Sequence, residues 1–325
     1  MAEFLNTYLN AFSKLKRATK NGIKAPHKPI LLLAIIKSIE LGEIKNNKIY
    51  ITPELVARFK DYWKWLVRES FFSPNFSLPF FHLTNDYTRN RLDRFWHLQT
   101  YFGKEILLTS SHSIRSFSQL QESVQYGYFD DRLFSLLSNH DSRQIVSRFL
   151  LEHYFSGQKL YDNRSDLFES VTKQILHDSP VEYLHVIERA DEEEVFIRSG
   201  VFKKVVPRIY DYTCCISGLR IVSGYDIQMV DACHIIPFAN SHNDTISNGI
   251  SLCPNLHRAF DRGLVSIDCY YRVLVAENFV ESSHENGIKA YQGKRIILPD
   301  EESYRPAVEN LDWHRVNIFK SKAQH

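Results

Sequence analysis

Apolar residues recur at helical spacing through most of the first 155 positions. Phe4, Leu5, Tyr8, Leu9, Phe12 and Leu15 share one face, and Lys14, Lys16 and Arg17 close the segment. This predicts an amphipathic helix with cations at its C-terminal end. His27-Lys28-Pro29 then opens a run to Leu41 that is apolar on nearly every side, with Pro29 suited to a first helical turn. Such a run predicts a helix at the centre of a core. Gly42 ends it, Asn46-Asn47 turns the chain, and Lys48 to Ile51 reads as a short strand. Thr52-Pro53-Glu54 starts a further helix carrying Leu55, Val56, Phe59, Trp63, Leu66 and Val67 at helical period. Pro79 to Leu83 and Phe95 to Leu98 read as strands flanking a polar loop with Asn85, Arg89, Asn90, Arg91 and Arg94. Asp131 to Leu137 and Ser142 to Tyr154 return to helix.

Beyond residue 155 the pattern changes. A helix is expected over Asp166 to Leu176, Ser179-Pro180 breaks the chain, and Asp191-Glu-Glu-Glu194 is an acidic run. Between Glu194 and Asp211 the only charges are basic: Arg198, Lys203, Lys204 and Arg208. That reversal suits a linker joined to an element facing phosphates. Ile227 to Asp231 reads as a strand, an apolar-periodic helix follows Cys253, and Leu264 to Asp268 with Tyr270 to Val275 read as strands about a turn. The whole is α+β, with three parts expected: a mixed N-terminal domain of helices and a small sheet over 1–160, a helical connector over 161–195, and a C-terminal domain with its extension over 196–325.

A length of 325 residues agrees with two domains. The longest apolar run, Ile30 to Ile36, is far short of the roughly 20 residues a membrane span needs, and the N-terminus lacks a signal-peptide pattern. A cytoplasmic protein without membrane association is expected. All five cysteines fall between residues 214 and 269 with no CxxC pair, which argues for buried thiols over a structural zinc site. A net charge of +2 means that any nucleic-acid binding must come from local basic patches.

One constellation carries chemistry. His234, Asn248 and His257 stand 14 and 9 residues apart, separated by turn signals and followed by the periodic run. Hydrolysing a phosphodiester needs an activated water, a charge-stabilising cation and a protonated leaving group, and a histidine with a fixed ring can activate the water while a divalent ion supplies charge. His234, ending the expected strand, is the candidate base. Asn248 can fix the imidazole or its loop, and His257 on the following helix can bind the ion as neutral imidazole. For a second ligand the choice lies between Asp231, whose carboxylate suits Mg²⁺ or Mn²⁺, and Cys233, whose thiolate favours softer ions; Asp231 is preferred. Asp261 stands four residues after His257 and reads first as a cap-like structural residue, with a partner behind the metal ligands as the alternative.

These residues stand in the motifs Cys214-x-x-x-Gly218, Ala232-Cys-His234-Ile-Ile-Pro237, Asn248-Gly-Ile-Ser-Leu252 and His257-Arg-Ala-Phe260-Asp261-Arg-Gly263. Residues 196 to 270 thereby resemble the HNH (ββα-metal) endonuclease family. The resemblance implies a metal-dependent DNA endonuclease with His234 as general base, Asn248 orienting it and His257 as metal ligand. Many members carry Asp or His directly before the base, where Cys233 stands here. A site of this kind cuts one strand, so a double-strand break calls for a homodimer or two successive nicks.

The N-terminal half resembles the recognition domain that precedes HNH modules in McrA-like, modification-dependent restriction enzymes, including those that sense phosphorothioate DNA. The resemblance rests on His27 to Leu33, Pro79 to Leu83 with Phe95 to Leu98, and Leu150 to Phe155. It implies a type IV-like restriction role against modified or foreign double-stranded DNA, with Tyr154 and Phe155 at a recognition pocket, although Phe155-Ser156 departs from the family's Tyr-Pro pattern. A nicking nuclease of a mobile element and a DNA-binding regulator with an inactive HNH fold are the alternatives. Residues expected to meet DNA are Arg89, Arg91 and Arg94 in the loop, with Arg198, Lys203, Lys204 and Arg208 before the site.

Overall fold

The computed structural model describes residues 2–68, 71–88, 93–105, 114, 116–155, 166–223, 228–277, 279–282 and 287–319. The chain divides into two units. The first comprises residues 1–168 with 192–197, the second residues 169–191 with 198–325.

In the first unit, α1 (Ala2–Ser13) leads to a short hairpin, β1 (Thr19–Lys20) and β2 (Ile23–Lys24), and then to α2 (His27–Glu40). Residues Ile30 to Ile36 of α2 are all buried, as a helix apolar on every side requires. Then comes α3 (Pro53–Leu66), begun by Thr52, whose Oγ1 accepts the Leu55 N–H at 3.3 Å. After α4 (Ser77–His82), β3 (Trp96–Thr100) pairs antiparallel with β4 (Val124–Phe129), the two being separated by α5 (Phe117–Ser123). The unit continues with α6 (Asp131–Ser138) and α7 (His140–Tyr154).

Two expectations are corrected here. Pro79 to Leu83 is not a strand: Pro79 falls in α4, and the rings of Phe76 and Phe80 stack one turn apart at 5.3 Å, with Phe80 edge-on to Trp96. An apolar run this short carries no period of its own, and aromatic packing decides it. Lys48 to Ile51 forms no strand either; only Ile49 bridges, to Gly127.

The second unit takes most of α8 (Leu167–His177), then α9 (Pro180–Ile187), opened by a reciprocal capping box between Ser179 and Glu182. The acidic run falls where the chain passes between the two units. It occupies the first turn of α10 (Glu192–Ile209), where carboxylates favour the helix dipole. Beyond it, β5 (Asp231–His234) pairs antiparallel with β6 (Gly249–Leu252), with the short α11 (Phe238–Ser241) between them. Then α12 (Pro254–Asp261) leads to the antiparallel pair β7 (Val265–Ile267) and β8 (Val273–Val275), and α13 (Val308–Asn317) follows. No helix among the described residues is long and apolar enough to cross a membrane. Mixed helices with small sheets, with a ββα unit in the C-terminal part, agree with the expected α+β class.

Candidate active site

The β5–β6 register sets His234 opposite Gly249 and Cys233 opposite Ile250. Alternation along β5 buries Cys233 completely and leaves His234 partly open. Gly249 is needed: a Cβ there would lie 2.7 Å from Val206 Cγ2 and about 3 Å from the Phe202 ring, so a side chain would push α10 away. That closeness lets Phe202 lie flat on the imidazole of His234, with ring centroids 4.0 Å apart and planes 9° from parallel.

His234 Nε2 stands 2.8 Å from Oδ1 of Asp244, a fully buried carboxylate. An ionised carboxylate only accepts, so Nε2 carries a proton, and in the neutral ring Nδ1 keeps its lone pair. Among the described residues Nδ1 has no hydrogen-bond partner. This carboxylate was not foreseen, because Ser241-His-Asn-Asp244 reads as turn composition. Asn248 is buried and does not touch the ring. Its Oδ1 accepts the Ile236 N–H at 2.9 Å, and its Nδ2 donates to the carbonyls of Ile236 (2.9 Å) and Asn243 (3.0 Å). It is therefore a positioning residue for the loop that leaves His234.

On α12, His257 and Asp261 lie one turn apart, on one face. His257 Nε2 is 3.5 Å from Asp261 Oδ2, and its Nδ1 is 3.4 Å from Asp231 Oδ2. The two carboxylates thus flank opposite nitrogens of one ring. Donor atoms of Cys233, His257 and Asp261 all fall within 4.8 Å of one another, a set able to hold a metal ion. Asp261, read first as structural, is in this set, while Asp231 meets the far nitrogen, the place of a carboxylate that orients a ligating histidine. Burial and the neighbouring Asp261 hold the Cys233 thiol well above its usual pKa. Imidazole and carboxylate are thus the ready donors of the set, a hard-to-borderline pair that fits a divalent ion.

His234, His257 and Asp261 line one cleft of about 230 Å³, with Ile235, Pro237 and Phe238 among its walls. The helix of His257 is fixed from behind. Gly263 has φ +71°, and a Cβ there would come 2.0 Å from the Ile318 carbonyl oxygen. His314 on α13 stacks on Phe260 at 3.7 Å, near its Phe260 carbonyl partner (Nε2, 3.1 Å) and Ser266 Oγ (Nδ1, 2.9 Å).

The basic residues separate. Lys203, Lys204 and Arg208 are exposed along α10. Arg198 is not: it is 5% exposed, donates to Gln174 Oε1 at 2.8 Å and lies over the Tyr183 ring. This corrects its assignment to DNA contact, since its helix face turns to the interior. In the first unit Arg94 is exposed beside Tyr87, while Arg89 and Arg91 lie outside the described residues. Tyr154 donates its hydroxyl to the Phe12 carbonyl, and Arg17 lies 4.5 Å from its ring centre. Phe155 is buried. A cavity of about 550 Å³ nearby in sequence is lined by Lys16, Arg17 and Lys28 on one hand and by Phe72, Leu78 and Pro79 on the other. His27 at its edge is pushed down to about 4 by burial.

Residues 214–268 match the family described as HNH endonuclease. No curated protein matches the chain. Among solved structures, a modification-dependent TagI restriction endonuclease aligns at 23% identity and a TM-score of 0.27, over 36% of this chain and 37% of that one. The chain therefore spans well under half of that protein's length.

Proposed function

We propose that this chain is a metal-dependent DNA endonuclease whose second unit cuts and whose first unit recognises a feature of the duplex. The observation that carries the reading is the shared cleft: an imidazole backed by a buried carboxylate opens onto the same space as His257 and Asp261. His234 accepts the proton of the attacking water at Nδ1, with Asp244 holding the opposite nitrogen. His257 and Asp261, with Cys233 beneath them and Asp231 orienting the ring, hold a divalent ion, Mg²⁺ or Mn²⁺. That ion supplies positive charge against the phosphate. Lys203, Lys204 and Arg208 meet the backbone.

A restriction role against modified or foreign DNA is the extension that the N-terminal resemblance implies. The cavity of Lys16 and Arg17 supports it, since cations beside an apolar wall suit a phosphate and the group attached to it, whereas Lys28 in the same lining is already paired with buried Asp86. Plasmid cleavage with Mg²⁺ or Mn²⁺ tests the first claim. Wild type is expected to cut, and His234→Ala to cut at least roughly 100-fold more slowly. If wild type cuts neither modified nor unmodified DNA with either metal, the enzyme reading is lost and the alternative of a DNA-binding regulator on an inactive HNH fold stands. Binding of the full chain to unmodified, methylated and phosphorothioate duplexes tests the second; equal affinity for all removes modification reading.

A further inference from the structure

We infer that Tyr183 and Arg198, both outside the segment that matches the HNH family, are positioning residues that hold His234 in its working orientation through Asp244. The inference rests on the nuclease reading for its purpose but on the geometry for its parts. Tyr183 is fully buried, and its hydroxyl donates to Asp244 Oδ2 at 3.1 Å, the oxygen that His234 does not use. Arg198 is nearly buried and lies over the Tyr183 ring at 5.2 Å. Its Nη2 donates to Gln174. The contacts therefore run in series from the half-buried Gln174 through the buried Arg198, Tyr183 and Asp244 to His234 at the cleft.

Each step has a physical reason. A fully buried carboxylate is costly unless its oxygens are hydrogen-bonded and a cation stands near. Here one oxygen is given to the imidazole and the other to a phenol, with a guanidinium behind that phenol. A carboxylate held at only one oxygen can turn about its last bond, and the Nε2–H would lose its fixed acceptor. Tyr183 removes that freedom. The same helix supplies a second restraint: Arg198 and Phe202 are four residues apart on α10, hence on one face, and Phe202 stacks on the imidazole. Side chains from α9 and α10 thus hold the base from behind and on its flat face. Burying an arginine, tyrosine and aspartate together only to fill a core would be poor economy, because apolar residues of similar volume fill cores at least as well.

The test compares Tyr183→Phe, Asp244→Asn and the double variant with wild type in steady-state cleavage, alongside thermal melts. Y183F is expected to lower kcat roughly tenfold, the scale of one hydrogen bond to a charged group, with KM unchanged. In the D244N background Y183F is expected to have no further effect, because its route to His234 is already cut. A Y183F enzyme that turns over like wild type, or one whose loss multiplies with that of D244N, overturns the inference. A second readout needs no cleavage: the Nε2–H proton resonance of His234, identified by its absence in His234→Ala, is expected to move in Y183F. An unmoved resonance overturns the inference even if wild type proves to cut nothing, which would defeat only the nuclease reading. Arg198→Met is the second variant, read in the same ways, so a Y183F that fails to fold leaves the test in force.

Discussion

Acidification is expected to loosen the second unit through His314. This ring is 1% exposed and stacked on Phe260, and burial lowers its pKa from 6.5 to about 4. A carbonyl only accepts, so Nε2 donates to Phe260 and Nδ1 receives the Ser266 hydroxyl; a second ring proton would oppose that arrangement. The sign follows. The fold favours the neutral ring, so its contribution is whole above about pH 6.5. It is lost as pH falls toward 4, while the unfolded chain takes up a proton that the folded one refuses. The span corresponds to roughly 3 kcal/mol, a large share of the roughly 5–15 kcal/mol that holds a domain together. For a unit of this size that lowers the melting temperature by on the order of 10 °C. The assay is a series of melts between pH 6.5 and 4 on wild type and His314→Gln, with an NMR titration of the His314 ring. H314Q is expected to be less stable near neutrality but to lose less on acidification. His27 in the first unit, also lowered to about 4, keeps its own contribution in both proteins. A His314 ring that titrates near 6.5, or an H314Q protein with the wild-type pH slope, would refute the reasoning.

Other outcomes follow from the same geometry. Asp261→Asn is expected to weaken Mn²⁺ binding, measured by calorimetry, by more than Asp231→Asn, since Asp261 belongs to the donor set and Asp231 meets the other ring nitrogen; the loss for an orienting carboxylate is typically about 10- to 100-fold. Equal losses would place both at the ion. Gly263→Ala is expected to cost more than the ~1 kcal/mol of an ordinary glycine-to-alanine strain, read by denaturant titration, because the added methyl meets the Ile318 carbonyl as well as the wrong backbone region. Replacing Lys203 and Arg208 by Gln is expected to lower the salt dependence of DNA binding by roughly one ion per residue, whereas a salt slope equal to wild type would remove them from the interface.

Much of this was legible in the sequence, for reasons that differ by residue. The α2 run from Ile30 to Ile36 needed no tertiary information, because a helix apolar all round has only a core to go to. The spacing of His234, Asn248 and His257 was legible because turn residues punctuate it and a helix follows it; the first strand lies at Asp231–His234, later than the Ile227–Asp231 expected, and the strand Gly249–Leu252 was not read at all. Asp244 was invisible: a turn aspartate and a buried partner of an imidazole look alike until the loop is closed. Arg198 misled for the opposite reason. It sits in a basic run, but a helix divides such a run between faces, and its face is interior. Asp261 shared a helix face with His257 from the start; the spacing of four was the available signal, outweighed by the structural reading of the Phe-Asp-x-Gly helix end.

The stacking of Phe202 on His234 also bears on how the proposed activity can be moved or copied. The recognisable motifs begin at residue 214, yet the side chains that grip the base come from residues 183 to 202. A fragment cut at the motif boundary would carry the histidine with one face stripped and its carboxylate uncapped. A fragment meant to carry the proposed cleavage is therefore expected to need the helices of Tyr183 and Phe202 as well as the matched segment.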